Sequence, residues 1–162
     1  MQAMSVIRNW QMDLMVKNVD VMKQVVTSIA DDKAFDRRDG GDGWTIAEVL
    51  GHLVEAEQSF LERAKITVET DNPQLPSSDQ AQVVLDKGYA SQDPMTLYDE
   101  WVTHREAFLA YLKSLPEDDA VWERPSQHPR RGRFTLNDQL FLAAWHDVNH
   151  IEQIVKIVNY SG

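Results

Sequence analysis

The chain has no cysteine among its 162 residues. That excludes a disulfide framework, a thiolate nucleophile and a sulfur-ligated metal site, so any metal must be held by histidine, carboxylate or amide side chains. Long apolar runs are missing too. None approaches the ~20 residues of a membrane-spanning helix, and the N-terminus shows neither the apolar centre nor the small-residue cleavage site of a secretion signal. The expectation is a cytoplasmic protein. Positive charge is in the minority, with 16 Lys and Arg against 26 Asp and Glu and a formal charge of −10, which argues against nucleic acid as a partner because phosphate contacts need a basic surface. A small molecule is the expected partner, with no membrane involvement and a homodimer as an allowed assembly. Glycine and proline are few, 7 and 6, and fall as punctuation between periodic segments.

Hydrophobic residues, at 43%, and five tryptophans are enough for one core in a single domain over residues 1–162. Residues 5–30 place Val6, Ile7, Trp10, Leu14, Val21, Met22, Val25 and Ile29 at three- and four-residue steps, which predicts a first helix with that face inward. A loop rich in Asp and Gly follows. Thr45 and Glu48 then form a capping-box pattern, with Trp44 placed to staple onto Val49, and open a second helix running to Glu69. The longest break, Asn72 to Pro94, leaves room for one short helix near Gln80 to Lys87. Asp93-Pro94 reads as cap and first residue of a third long helix carrying Leu97, Trp101, Phe108 and Leu112. The stretch Glu117 to Phe134 is irregular and holds Arg124, Arg130, Arg131 and Arg133, after which Thr135 to Asp138 opens the fourth. No segment reads as a strand, and the fold class is all-α, a four-helix bundle.

The fourth helix contains the feature around which the rest is organised. His146 and His150 are four residues apart, one turn, and so project from one face as a chelating pair would. Beside them Leu140, Ala144, Val148, Ile151 and Val155 make an apolar stripe expected to face the core. Two imidazoles at the edge of a buried face need partners, and a divalent metal is one of the few that serves both. Of the candidate third ligands, His128 and His104 sit in polar surroundings that suit exposed or half-buried residues. His52 lies in the most apolar part of the second helix, after Gly51, where a mid-helix glycine implies a close approach. His52 lies about 9 Å from the start of its helix and His150 about 12 Å from the end of its own, so an antiparallel pairing brings them level. The long break between the second and third helices then serves as the crossover of an up-down-down-up bundle.

The segments Gly43 to Leu53 and Trp145 to Ile154 resemble the two signature regions of the DinB-like superfamily, which includes the YfiT-type metal-dependent hydrolases. The resemblance implies an up-down-down-up four-helix bundle in which His52, His146 and His150 bind a divalent cation such as Zn, Ni, Mn or Fe. It also implies three functional readings: transfer or isomerisation with a low-molecular-weight thiol such as mycothiol, bacillithiol or glutathione, metal-dependent hydrolysis, or a non-catalytic metal-binding module linked to stress. Three neutral imidazoles leave such a cation an open position, at which water or a thiol would be acidified. Around this site Glu55 is a candidate fourth ligand, general base or acceptor for a ring N–H. Asn149 and Gln153 are candidate partners of the rings, and Tyr98 and Trp101 candidate pocket walls. Arg37 and Arg38 are expected near the metal, available to an acidic substrate. The loop with Arg124, Arg130, Arg131 and Arg133 is expected at the far end of the bundle, away from the site.

Overall fold

A computed structural model describes residues 2–160, with side chains from residue 4 onward. Among the described residues six α-helices form: α1 (Gln2–Thr27), α2 (Ile46–Glu69), α3 (Gln80–Lys87), α4 (Pro94–Ser114), α5 (Asp119–Trp122) and α6 (Leu136–Val158). The four long ones, α1, α2, α4 and α6, are the expected bundle. Its starts are set by local chemistry. Thr45 accepts from Glu48 N while the Glu48 carboxylate accepts from Thr45 N, and Thr135 and Asp138 do the same at α6. Asp93 caps α4 with Pro94 behind it, and α3 ends on Gly88 at φ 64°, a left-handed position that suits glycine. Among the described residues no helix is long and apolar enough to cross a membrane.

Contacts fix the relative directions. His52 meets His146 and Thr67 meets Gln139, so α2 and α6 run antiparallel. Tyr98 bonds Val19 O and Arg105 bonds Met15 O, so α4 opposes α1. Glu57 pairs with Arg105 and Phe60 stacks on Phe108, which sets α2 parallel to α4. Residues 70–93, with α3, make the crossover between these two parallel helices.

One feature departs from an all-helical reading. Residues Pro125–His128 (β1) and Gly132–Thr135 (β2) form an antiparallel hairpin immediately before α6. It is tied to the crossover, since Gln127 N donates to Pro73 O at 2.8 Å and Leu75 N to Gln127 O at 2.9 Å. The sequence signal was weak because both strands are four residues long and contain Gln127, Arg131's neighbour Gly132 and Arg133 rather than alternating apolar residues.

Leu97, Trp101, Phe108 and Leu112 are buried as expected, and so are Leu140 and Ala144 of α6, but the inward faces of α1 and α6 match the expected ones only in part. On α1, Met22 is buried and Leu14, Val25 and Ile29 pack against the core as expected, whereas Val6, Trp10 and Val21 are exposed and Met12, Met15 and Val26 are buried. On α6, Val148 and Val155 are exposed while Asp147 is buried. The reason is an ion network at the bundle centre. Arg105 donates through Nε and Nη2 to Glu57 at 2.6 and 2.7 Å, through Nη1 and Nη2 to Asp147 at 2.8 and 2.9 Å, and through Nη1 to Met15 O at 2.9 Å. All five guanidinium donors are thereby used. Burial alone would lower the Arg105 pKa, but Glu57 and then Asp147 outweigh it and raise it. Burial likewise pushes the Glu57 carboxyl up, yet Arg105 donates to both its oxygens, and we read the pair as ionised. The network joins all four long helices through α1's Met15 and Asn18, the latter donating to Asp147 at 3.2 Å.

Gly51 answers the close approach expected beside His52. A Cβ there would lie 2.2–2.6 Å from the ring of Tyr89, which the crossover lays flat on α2. Tyr89 donates its hydroxyl hydrogen to Glu55, and Lys87 pairs with the same carboxylate at 3.2 Å.

Candidate metal centre

The side chains of His52, on α2, and of His146 and His150, on α6, converge and form a group able to hold a metal ion. The two closest approaches are 3.0 Å between Nε2 of His52 and His146, and 3.1 Å between Nε2 of His146 and His150. Gln153 assigns the tautomer of His150. Its Nε2 donates to Asp39 Oδ2 at 2.9 Å, so its Oε1 faces His150 Nδ1 at 2.8 Å and must accept from it. His150 Nε2 therefore presents a lone pair. His146 Nε2, carrying either one hydrogen or one lone pair, can make at most one of its two short contacts a hydrogen bond. A cation satisfies both. Metal–nitrogen bonds of about 2.0–2.1 Å at octahedral to tetrahedral angles would space the ligand nitrogens by about 2.9–3.4 Å, the range in which the two contacts fall.

The electrostatics suit neutral ligands. Burial, then the neighbouring His150, lowers the His52 pKa to about 3, with the Gln80 amide opposing slightly. His52 Nδ1 and Gln80 Oε1 are both buried without a hydrogen-bond partner. Burial, then the other two rings and the guanidinium of Arg105, holds His146 well below its ordinary value. Burial lowers His150 as well, against Gln153 and Asp147, which favour its charged form. Trp44 tilts over His52 at 4.9 Å between ring centroids, and Phe60 meets His146 edge-on at 5.5 Å. These rings restrict the imidazoles to a narrow range of orientations.

A cavity of about 360 Å³ opens beside His52 and His146. It runs along α2 from His52 past Phe60 to Arg63 and is bordered by Gln80, Trp145 and the hairpin turn with Arg130 and Arg131. The expectation that this arginine loop lies away from the site is therefore overturned. Although α6 begins at the far end of the bundle, the cavity extends along the helices, and pairing of β1 with the crossover holds the turn over it. His128, expected to be exposed, is 7% exposed, packs on Phe134 and lines the same cavity. Arg124 instead donates to Thr67 O and Thr70 O at the end of α2, and Arg133 is exposed on β2 away from the cavity lining.

Several other expected neighbours serve elsewhere. Glu55 is held by Tyr89 and Lys87 and stands outside the three-histidine group. Asn149 is half-buried and donates to Trp145 O, whereas Gln153 does contact a ring. Tyr98 and Trp101 are buried in the core, and the aromatic walls of the cavity are Phe60 and Trp145. Arg37 donates to Val158 O and Asp31, and Arg38 to Gly43 O and Glu48, so both tie the α1–α2 loop down. His104 is half-buried beside Gln58, as expected.

The model of the DinB superfamily matches residues 15–154. The chain belongs to the DinB superfamily. YfiT of Bacillus subtilis, described as a probable metal-dependent hydrolase, is 26% identical over 150 residues, 87% of this chain and 78% of that protein. A relative from Oceanobacillus iheyensis, named for the same activity, is 24% identical over 115 residues, 71% of this chain and 65% of its own length. The solved YfiT structure, reported as an unusual four-helix bundle, superimposes with a TM-score of 0.84 at 22% identity over 93% of this chain and 85% of that one. A mycothiol-dependent maleylpyruvate isomerase aligns with a TM-score of 0.72 at 12% identity, covering 91% of this chain and 60% of its own. At these identities the structural likenesses concern the fold alone.

Proposed function

We propose that this DinB-superfamily protein binds one divalent cation, Zn, Ni, Mn or Fe, through Nε2 of His52, His146 and His150, and uses it in S-transfer from a low-molecular-weight thiol to an electrophile. The observation that carries the reading is the convergence of three neutral imidazole nitrogens, two pairs of them 3.0 and 3.1 Å apart, beside an open cavity that His52 and His146 line. When bound, the cation would lower the pKa of a thiol so that it ionises near neutral pH, supplying the nucleophile that a chain without cysteine lacks. The chain's own part is positional. Gln153, braced by Asp39, keeps the His150 proton on Nδ1 and its Nε2 lone pair toward the site. Phe60 and Trp145 offer an apolar electrophile an aromatic surface beside the histidines. In the transfer the thiolate sulfur forms the new carbon–sulfur bond and the electrophile's leaving group departs with the electron pair of the broken bond.

Metal-dependent hydrolysis is the second reading, favoured by the names of the relatives. It would use an ionised water in place of the thiol. The two are separated by assaying zinc-loaded protein with a panel of thiols and 1-chloro-2,4-dinitrobenzene, beside His52→Ala. Thiol-dependent product formed by wild type and lost in the variant supports S-transfer; equal rates in both proteins across the panel exclude it.

A further inference from the structure

The cavity carries a charge pattern that the three histidines do not explain. The chain has ten more acidic than basic residues, yet the cavity lining contains Arg63, Arg130 and Arg131 and no carboxylate. These three lie close enough to repel. Burial lowers the Arg63 pKa, Glu62 beside it on α2 opposes this, and Arg130 and Arg131 lower it further. Among the described residues neither Arg130 nor Arg131 forms an ion pair. Gathering three cations around a cavity whose lining holds no carboxylate is unfavourable, and low-dielectric walls focus the resulting field into it.

The arginines also stand on a firm base. His128 is buried against Phe134 and its Nδ1 accepts from Arg130 N at 3.1 Å, which fixes the turn. The β1–crossover bonds hold the hairpin, and Arg63 donates through Nε to Pro76 O at 3.1 Å, which directs its guanidinium from α2 to the crossover. Between this cationic end and the histidines lie the apolar side chains of Ala56, Phe60, Leu142 and Trp145. A volume of about 360 Å³ suits a small molecule, at the lower end of the roughly 300–1,000 Å³ of ligand sites.

We infer that Arg63, Arg130 and Arg131 form an anion subsite that takes the carboxylate end of a small organic acid whose other end reaches the three histidines. The inference rests on the proposed function for the role of the histidine end, but not for the anion. Guanidinium groups fit carboxylates in pairs of parallel N–H···O bonds, and a cation at the histidines adds to the same field. The reactant thus has a polar anionic head, a short apolar body and a donor or electrophilic group at the opposite end, and neutral analogues are poor ligands.

The test uses the full zinc-loaded chain and calorimetric titration with succinate, alongside R130Q/R131Q and R63Q. The turn arginines are exposed, so the double variant should keep the wild-type melting temperature, which also checks R63Q. The inference predicts succinate binding that weakens roughly tenfold or more in R130Q/R131Q, and weakens in wild type at high salt. No binding to wild type at 10 mM succinate, or equal affinity in wild type and both variants, overturns it. Mercaptosuccinate added to cobalt-loaded protein separates this from the thiol reading. Arginine-dependent succinate binding without a cobalt–thiolate absorption band keeps the anion subsite and removes thiol activation. A band with the same midpoint in wild type and R130Q/R131Q keeps thiol activation and removes the subsite.

Discussion

Gly51 and His52 are adjacent, and each is explained by what lies on the opposite side of α2. The absent Cβ of Gly51 admits the Tyr89 ring, and the helix turn that follows carries His52 to the two histidines of α6. Gly51→Ala would place a methyl group within 2.2–2.6 Å of a ring that is itself 5% exposed, so the crossover must shift. Overpacking of this kind costs about 1–3 kcal/mol, which outweighs the ~1 kcal/mol gained by removing a helical glycine. Thermal unfolding of Gly51→Ala is expected to show a lower melting temperature; an unchanged or higher one would mean that Tyr89 moves freely. The histidine pair was legible in the sequence because both members sit on one helix, where spacing alone sets direction. His128 was not, because its burial depends on Phe134 across a hairpin turn and on the crossover segment bridged to β1 at Gln74.

Among the elements, α1, α2, α4 and α6 are held in register by one guanidinium. Arg105 lies 48 residues from Glu57 and 42 from Asp147, and it is 1% exposed. A charged residue at helical spacing reads as a solvated face in sequence, and only the two distant carboxylates make its burial favourable. This also explains why part of each expected face of α1 and α6 lies outward: Asn18 and Asp147 turn inward to meet the network, which leaves Trp10 and Val148 at the surface. The helix boundaries were legible, since capping boxes at Thr45 and Thr135 act within four residues. Arg105→Met would leave two buried carboxylates without their partner, and breaking a buried pair in this way costs about 3–5 kcal/mol. Urea unfolding monitored by tryptophan fluorescence should show that loss; a change under 1 kcal/mol would show that water or repacking compensates.

For the molecule as a whole, the three histidines tie stability to pH. In the metal-free protein each has a folded-state pKa below the ordinary 6.5, His52 near 3. Between these values the unfolded chain binds protons that the folded chain does not, so stability rises with pH and is lost as pH falls below about 6.5. The urea midpoint of chelator-treated protein is expected to be level from pH 8 to 7 and to fall steadily from pH 6.5 to 5, with a shallower fall in His146→Gln. A midpoint unchanged over that interval would place the imidazoles in contact with water.

The central claim is that three side chains from two antiparallel helices hold a single metal ion. It is tested most directly by elemental analysis of protein purified without a chelator or immobilised-metal column, beside His146→Ala prepared in the same way. The account predicts about one divalent metal per chain in the wild type, loss of nearly all of it in the variant, and a melting temperature that a chelator lowers only in the wild type. Equal metal content in the two proteins, or a wild type that gains no stability from added zinc, nickel, manganese or iron(II), would contradict it.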